Sequence, residues 1–361
     1  MKLKLTMLAA AGSMMALSAA AEEVRVYNWS DYIDEALLAQ FEEETGYDLV
    51  YDVFDSNELL ETRMLAGGSG YDVVVPSGTF LQRQISAGAF QPLDYDLLPN
   101  ADNMWDVIME RTEQYDPGNQ YAINYMWGTT GLGVNVNRVR EILGEDAPID
   151  SLELIFDPDN MEQLAECGVH FLDAPVEMIP AALSYLGEDP DSHDPDVIAL
   201  AEPVLSGVRP YVRNFHSSEY INALANGDIC VAFGWSGDVL QARDRAAEAD
   251  NDVEIVYNAP TEGALMWFDM MAIPVDAPNP EGAHAFINFI MDAENMAQAS
   301  NYVYYANGNL ASQEFLVEDV IGDTAIYPDE ATLENLYTTT PYDPRVQRVV
   351  TRMWTRIKSG T

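Results

Sequence analysis

The stretch VRVYNWSDY, at residues 24–32, holds the junction around which the fold is organised. Val24 and Val26 alternate with polar residues, which is typical of a β-strand with one buried face. Residues 36–41 then follow helical spacing, so the sequence predicts a strand, a loop and a helix. Ligands of open α/β sheets bind beyond the carboxyl ends of the strands. We therefore expect a ligand to contact the loop residues Trp29, Ser30, Asp31 and Tyr32.

The same order of elements recurs through the first third of the chain. Residues 48–54 alternate in part like a strand, and Ser56 or Asn57 then caps a predicted helix. Residues 71–77 form a short β-branched run that a proline ends, as expected of a buried parallel strand. This βαβαβ order predicts an α/β fold with a parallel sheet, and it makes Ser77 a second residue at a strand end.

A long extended segment follows at residues 119–136, where glycines interrupt an alternating pattern. Glycine-rich extended chain suits a crossing between two lobes, because strands bend and pass close together there. Without the N-terminal leader about 340 residues remain, which is too many for one hydrophobic core. The sequence therefore predicts two lobes.

The first 21 residues have the pattern of a secretory signal peptide. Lys2 and Lys4 precede an apolar run from Leu5 to Leu17, and three alanines end at Ala21. We expect cleavage near Ala21 and export of the mature chain. No later stretch of the sequence reaches the ~18 apolar residues of a membrane helix.

The chain is strongly acidic, with 60 Asp and Glu against 17 Lys and Arg and a formal net charge of −43. Nucleic acid is excluded as a partner, because phosphate contacts need clustered Lys and Arg. An acidic field instead steers cations toward the protein. For most of the acids a second explanation is adaptation to high external salt, which screens the repulsion between exposed carboxylates.

Cys167 and Cys230 are the two cysteines, and an even number in an exported chain predicts one disulfide. Closing a loop of this size contributes ~4 kcal/mol in the chain-entropy model. Two buried free thiols are the alternative. The spacings of the cysteines and of the four histidines match no metal-ligand signature, so we expect no metal and no other cofactor.

Several further element ends carry aromatic and acidic side chains. Side chains two residues apart on a strand share a face, which places Trp267 and Asp269 together. The candidate binding residues collected in this way are Trp29, Asp31, Tyr32, Ser77, Glu177, Trp235, Asp238, Trp267 and Asp269. Aromatic walls with several carboxylates favour a pocket for an elongated organic cation, because ammonium groups need charged acceptors and a methylene chain needs apolar faces. Taken singly, each Trp is typical of a core and each Asp of a helix cap.

Paired carboxylates beside tryptophans are also typical of a glycoside hydrolase cleft, which gives the alternative function. The segment GWSGD at residues 234–238 lacks the closing glycine of a nucleophile elbow, so it does not indicate a serine hydrolase. We therefore predict a protein that binds without turnover and is not an enzyme, with a secreted glycosidase as the second hypothesis.

Five longer motifs resemble those of one family. They are YNWSDY at 27–32, YDVFDSNE at 51–58, YDVVVPS at 71–77, FLDAP at 171–175 and NGDICVA at 226–232. The chain resembles the periplasmic polyamine-binding proteins of bacterial ABC importers from about residue 24 to residue 360, and within them the putrescine-binding branch. The resemblance implies a two-lobed periplasmic binding protein fold of type II, in which each lobe is a mixed, mostly parallel sheet flanked by helices and extended strands cross the hinge. It also implies a monomer that captures a polyamine in the periplasm and delivers it to a membrane ABC permease.

The resemblance also implies a set of ligand-binding residues. The set is Trp29, Ser30, Asp31, Tyr32, Ser77, Glu177, Trp235, Asp238, Trp267, Asp269 and Tyr305. It implies a Cys167–Cys230 disulfide, a first lobe of residues 22–130 and 258–306, and a second lobe of residues 131–257 and 307–361. The putrescine branch has Phe where this chain has Trp267, and its spermidine-preferring relatives have Trp, so both polyamines stay open as ligands.

Overall fold

The protein is described here by a computed structural model of residues 22–360, and the predicted signal peptide at residues 1–21 lies outside the described residues. The N-terminal elements are β1 (Glu23–Trp29), α1 (Glu35–Thr45), β2 (Asp48–Phe54), α2 (Asn57–Ala66), β3 (Val73–Val74) and α3 (Gly78–Ser86). Both β2 and β3 pair in parallel with β1, which confirms the predicted βαβαβ unit. Of the two predicted caps of α2, Ser56 holds the position and accepts a hydrogen bond from a backbone amide of the helix.

The predicted strand at residues 71–77 is wrong in length, because only β3 pairs regularly. The carboxylate of Asp72 accepts hydrogen bonds from the backbone amides of Arg25 at 2.8 Å and Asn279 at 2.6 Å. These bonds fix the residue just before β3, whose own backbone amide donates to the backbone oxygen of Arg25 at 2.7 Å. After it, Pro76 has no amide hydrogen to donate.

The rest of the chain adds further helices and strands. The middle elements are α4 (Asp106–Thr112), β4 (Ala122–Asn135), α5 (Val136–Leu143), α6 (Glu153–Phe156), α7 (Pro158–Leu164), β5 (Val169–Phe171), α8 (Pro175–Tyr185), α9 (Pro195–Ile198), α10 (Ala201–Val208), β6 (Asn214–Phe215), α11 (Glu219–Ala225), β7 (Val231–Trp235), α12 (Ser236–Ala249), β8 (Ile255–Asn258) and β9 (Ala264–Ala272). The last elements are α13 (Pro280–Ile290), α14 (Ala293–Val303), β10 (Ala306–Asn307), α15 (Glu318–Ile321), α16 (Glu330–Glu334), β11 (Leu336–Tyr337) and α17 (Pro344–Ser359).

The strands form one mixed sheet in the order β2-β1-β3-β9-β4-β7-β5-β6. On one side, β1 to β3 run parallel to each other; on the other side, β5, β6 and β7 do the same. The central strand β4 runs antiparallel to β7, β8 and β9. We call β1, β2, β3 and β9 the first half-sheet and β5 to β8 the second half-sheet.

Strand β4 joins the two half-sheets, and all of its residues are buried. Its residues up to Thr130 pair with β9, and those from Thr130 to Val134 pair with β7. Thr130 is therefore the residue at which the strand changes partners. Gly128 lies just before it, where a β-carbon would stand 2.8 Å from the ring of Trp267. The glycines that marked this segment in the sequence thus allow side chains of the two half-sheets to reach the strand.

The C-terminal region contacts both sides of the molecule. Asn309 forms a β-bridge with Met104, and the 3₁₀ turn Ala311–Phe315 packs on α14, so the chain just past residue 306 contacts elements of the predicted first lobe. Helix α17 packs instead on α8, α9 and α10, which belong to the predicted second lobe. The lobe boundaries stay a prediction.

Cys167 and Cys230 form a disulfide with their Cα atoms 5.7 Å apart, as predicted. They lie just before the parallel strands β5 and β7, so the bond fastens the start of the second half-sheet. Among residues 22–360, no helix has the length and apolar character needed to cross a membrane.

Candidate functional site

A cleft with an empty volume of about 510 Å³ opens where the two half-sheets meet. Its walls include the ends of β1 and β7, where Trp29 and Trp235 lie, and part of β9. The lining residues are Trp29, Ser30, Tyr32, Phe54, Asp55, Asn57, Ser77, Glu177, Ser217, Ser218, Ile221, Trp235, Asp238, Trp267, Asp269 and Tyr305. Among the described residues, no Lys or Arg contributes to this lining.

Asp269 lies on β9 and is 4% exposed. Its two carboxylate oxygens accept hydrogen bonds from the hydroxyls of Ser77 at 2.5 Å and Tyr32 at 2.8 Å. Ser77 is itself held by Asn57, whose side-chain amide donates to the Ser77 hydroxyl at 2.9 Å and accepts from its backbone amide at 3.1 Å. The carboxylate is thus fixed by residues from three separate segments.

Asp238 is the matching carboxylate on the second half-sheet side and is 7% exposed. The sequence placed it at a strand end, whereas β7 stops at Trp235 and Asp238 lies in the first turn of α12. Its oxygens accept hydrogen bonds from the hydroxyls of Tyr220 and Tyr305, both at 2.7 Å. The ring of Tyr305 lies 5.2 Å from that of Tyr32, so two touching tyrosines connect Asp238 with Asp269.

Glu177 is the third buried carboxylate and lies in the first turn of α8. It accepts a hydrogen bond from the hydroxyl of Thr130 at 2.6 Å and a longer one, at 3.4 Å, from the indole nitrogen of Trp235. Because Thr130 is where β4 changes partners, Glu177 is tied to the junction of the half-sheets.

Tryptophan rings form much of the apolar wall. The indole of Trp29 donates to the backbone oxygen of Val75 at 2.9 Å, and its ring meets Trp235 edge-on at 5.7 Å. Trp267 packs against Tyr305 at 5.3 Å. Trp267 and Asp269 both reach the cleft, which confirms the prediction that they share a face of their strand.

Burial makes the three carboxyls weak acids. Desolvation raises the pKa of Asp238 to about 6, and it raises the pKa of both Asp269 and Glu177 to about 7. The hydroxyl donors act in the opposite direction and lower each pKa. A helix N-terminus also favours negative charge, yet for Asp238 and Glu177 the cost of burial is larger.

Asp31 is the one predicted site residue that does not line the cleft. It lies on the rim with a left-handed backbone angle, φ 53°, and its carboxylate pairs with Arg245 at 3.0 Å. Its backbone oxygen accepts a hydrogen bond from the side chain of Gln241, also on α12. Asp31 therefore joins the loop after β1 to α12. Ser30 does line the cleft, where its hydroxyl donates to Asp55.

The sequence reasoning missed six lining residues, which are Phe54, Asp55, Asn57, Ser217, Ser218 and Ile221. One of them is the last residue of β2 and two follow it, so the strand-end argument used for β1 would have found them. Residues 217, 218 and 221 lie at or just before the start of α11, after β6, which has two residues and is too short to show the alternation that marked the other strand ends. Tyr220, which holds Asp238, was missed for the same reason.

Comparison with known proteins identifies the family. Residues 36–328 match the family described as bacterial extracellular solute-binding protein. The chain belongs to this family of solute-binding proteins. It is 51% identical to the putrescine-binding periplasmic protein SpuD of Pseudomonas aeruginosa, over 97% of this chain and 96% of that protein. It is 48% identical to the putrescine-binding periplasmic protein PotF of Escherichia coli, over the same shares of the two chains.

The fold of this solute-binding protein has solved counterparts. The spermidine/putrescine ABC transporter substrate-binding protein PotD of Streptococcus pneumoniae superposes with a TM-score of 0.75 at 29% identity, covering 94% of this chain and 99% of that one. The predicted periplasmic binding protein fold is confirmed, and an extracytoplasmic solute-binding function with it. The glycosidase hypothesis was wrong, because the matching family binds solutes.

Proposed function

We propose that the protein captures a polyamine, putrescine in particular, in this cleft and delivers it to a membrane ABC permease. The observation that carries the proposal is the set of three buried carboxylates, Asp238, Asp269 and Glu177, in a cleft lined by no Lys or Arg among the described residues. Buried anions without a counter-charge are costly, and a ligand that supplies ammonium groups removes this cost. The names of the two relatives above support putrescine.

In the proposed complex, one ammonium group is bound by Asp269 and the other by Asp238. Each carboxylate accepts two hydrogen bonds from hydroxyl groups. Its oxygens have further lone pairs, which can accept charge-assisted hydrogen bonds from the N–H groups of an ammonium ion. The rings of Trp29, Trp235 and Trp267 provide apolar and cation–π surface for the methylene chain. Every role here is binding and orientation, and no bond of the ligand is broken.

The proposal also covers the processing of the protein, its oligomeric state and its partner. The leader is cleaved near Ala21, the mature chain acts as a monomer in the periplasm, and the ligand-bound form engages the permease subunits. N-terminal sequencing of the secreted protein checks the cleavage site. Light scattering, with and without putrescine, checks the oligomeric state.

Titration calorimetry tests the ligand. Mature protein, stripped of ligand and kept in high salt, is titrated with putrescine, cadaverine, spermidine and spermine. We expect one-to-one binding with putrescine among the tightest. An absence of heat with all four polyamines would overturn the proposal, and tighter binding of spermidine than of putrescine would replace its choice of ligand.

A further inference from the structure

The number of buried carboxyl groups in the cleft can be compared with the number of ammonium groups in a polyamine. The cleft contains three buried carboxyls, Asp238, Asp269 and Glu177, whereas a diamine brings two positive charges and a triamine brings three. A buried carboxylate that faces no cation is costly. When a diamine is bound, the least costly state therefore keeps a proton on one of the three carboxyls. A triamine leaves no carboxyl without a partner.

The hydrogen bonds indicate which carboxyl keeps this proton. Asp269 and Asp238 each accept two hydroxyl bonds of 2.8 Å or less. Glu177 accepts one such bond, from Thr130 at 2.6 Å, and a weak one at 3.4 Å from Trp235. Because short hydrogen bonds to the ionised form stabilise it, the carboxylate of Glu177 is the least stabilised of the three.

The surroundings of Glu177 act in the same direction. Its ionisable neighbours are acids and phenols from five different elements: Glu58 on α2, Tyr220 on α11, Tyr257 on β8, Asp269 on β9 and Tyr337 on β11. None of these five groups carries a positive charge that would stabilise the ionised form of Glu177. The negative charges of Asp269 and Glu58 oppose the ionisation of Glu177, and burial opposes it further.

We infer, resting on the proposed function, that Glu177 determines how many ammonium groups the cleft accepts. It keeps its proton when a diamine such as putrescine is bound, and it ionises when a triamine such as spermidine is bound. The choice between the two ligands then depends on pH, since only the triamine must displace this last proton.

The direction of the dependence follows from linkage. Burial raises the pKa of Glu177 to about 7, so the empty site holds this proton in mildly acidic solution. Triamine binding releases it, whereas diamine binding does not. The affinity ratio of triamine to diamine therefore rises by up to about tenfold per pH unit wherever the diamine complex holds the proton and the triamine complex does not. The ratio becomes constant once the pH exceeds the pKa of Glu177 in the diamine complex. Acidification favours diamines and neutral pH favours triamines.

Calorimetry in two buffers of different ionisation enthalpy measures the released protons directly. Mature protein is titrated with putrescine and with spermidine between about pH 5.5 and pH 7.5, where alkylammonium groups stay charged. We expect spermidine to release about one proton more than putrescine at the acidic end of this range, and the difference to shrink where the putrescine complex also loses the Glu177 proton.

The variant Glu177→Gln removes the group that titrates, and Glu58→Gln is the matched control because it removes a nearby acid outside the cleft lining. In Glu177→Gln we expect equal proton release for both ligands and a constant affinity ratio. In Glu58→Gln the difference persists. Equal proton release in the wild type, or a difference that survives in Glu177→Gln, overturns the inference while leaving putrescine binding intact. An absence of binding of both ligands to the wild type overturns the proposed function instead.

Discussion

The cleft has aspartates in two different environments: Asp269 and Asp238 are buried in what we call its floor, and Asp31 is exposed on its rim. On the floor, Asp269 is 4% exposed and is bound only by hydroxyl groups, and its pKa is raised to about 7. On the rim, Asp31 is exposed and forms an ion pair with Arg245 on α12. Among residues 22–360, no Lys or Arg lines the cleft beside the buried carboxylates, whereas the rim carboxylate is paired with Arg245. The two aspartates have the same side chain, so their different roles follow from how deeply each is buried and from the group that each one contacts.

The largest expected effect comes from neutralising the floor. Asp269→Asn removes the charged acceptor of one ammonium group, and such a bond contributes ~1.5–3 kcal/mol. We expect putrescine binding to weaken by about 10- to 100-fold, measured by titration calorimetry. Asp31→Asn is the control on the rim, and a loss as large as that of Asp269→Asn would remove the distinction between the two regions.

The pH dependence of putrescine binding sharpens the same comparison. The raised pKa values of Asp238 and Asp269 mean that both carboxyls are largely protonated near pH 5 and then bind ammonium groups poorly. We expect the affinity to fall at least about tenfold from pH 7.5 to pH 5. In Asp269→Asn the slope becomes smaller, because one titrating group is missing. An affinity that does not change over this range would contradict the assigned binding groups.

The stability of the ligand-free protein gives a third, smaller effect. Because the pKa of Asp269 is raised on folding, its contribution to stability is present below its unfolded pKa and is lost as pH rises through about 7. At pH 8 the ligand-free Asp269→Asn variant should therefore melt at least about 2 °C above the wild type. Differential scanning calorimetry measures this difference. Saturating putrescine should reverse the order, since the ligand stabilises the wild type more.

The smallest effect is expected on the rim. The Asp31–Arg245 pair is partly exposed, and such pairs contribute about 0–1 kcal/mol. Arg245→Ala should weaken putrescine binding no more than about fivefold, and less in high salt, where the pair is screened. A loss above tenfold that persists in high salt would mean that the rim takes part in binding directly.

The expectation that ligands bind beyond strand ends predicted most of the residues that line the cleft. These residues lie where the alternation of apolar and polar residues stops. Trp29, Ser77 and Trp235 were found from that pattern, and Trp267 with Asp269 from the two-residue repeat of a strand. The βαβαβ unit, the long strand β4 and the disulfide were also predicted. These features depend on local pattern or on the cysteine count.

The features that depend on long-range contacts could not be predicted from the residues alone. Asp31 and Asp238 both follow an aromatic residue at a strand end, yet one pairs with Arg245 and the other is buried under Tyr220 and Tyr305. Arg245 lies 214 positions from Asp31 in the sequence, and Tyr305 lies 67 positions from Asp238. No pattern within the loop distinguishes an acid that meets a distant arginine from one that does not.

Gly128 has a consequence for the evolution of the binding site. It does not line the cleft, yet a β-carbon at this position would stand 2.8 Å from the ring of Trp267 and 2.9 Å from the hydroxyl of Ser236. Replacement by alanine, which one nucleotide change in a glycine codon produces, would therefore force the Trp267 ring or α12 to shift. A lineage can change the shape of its ligand site in this way while every residue that touches the ligand is inherited unaltered.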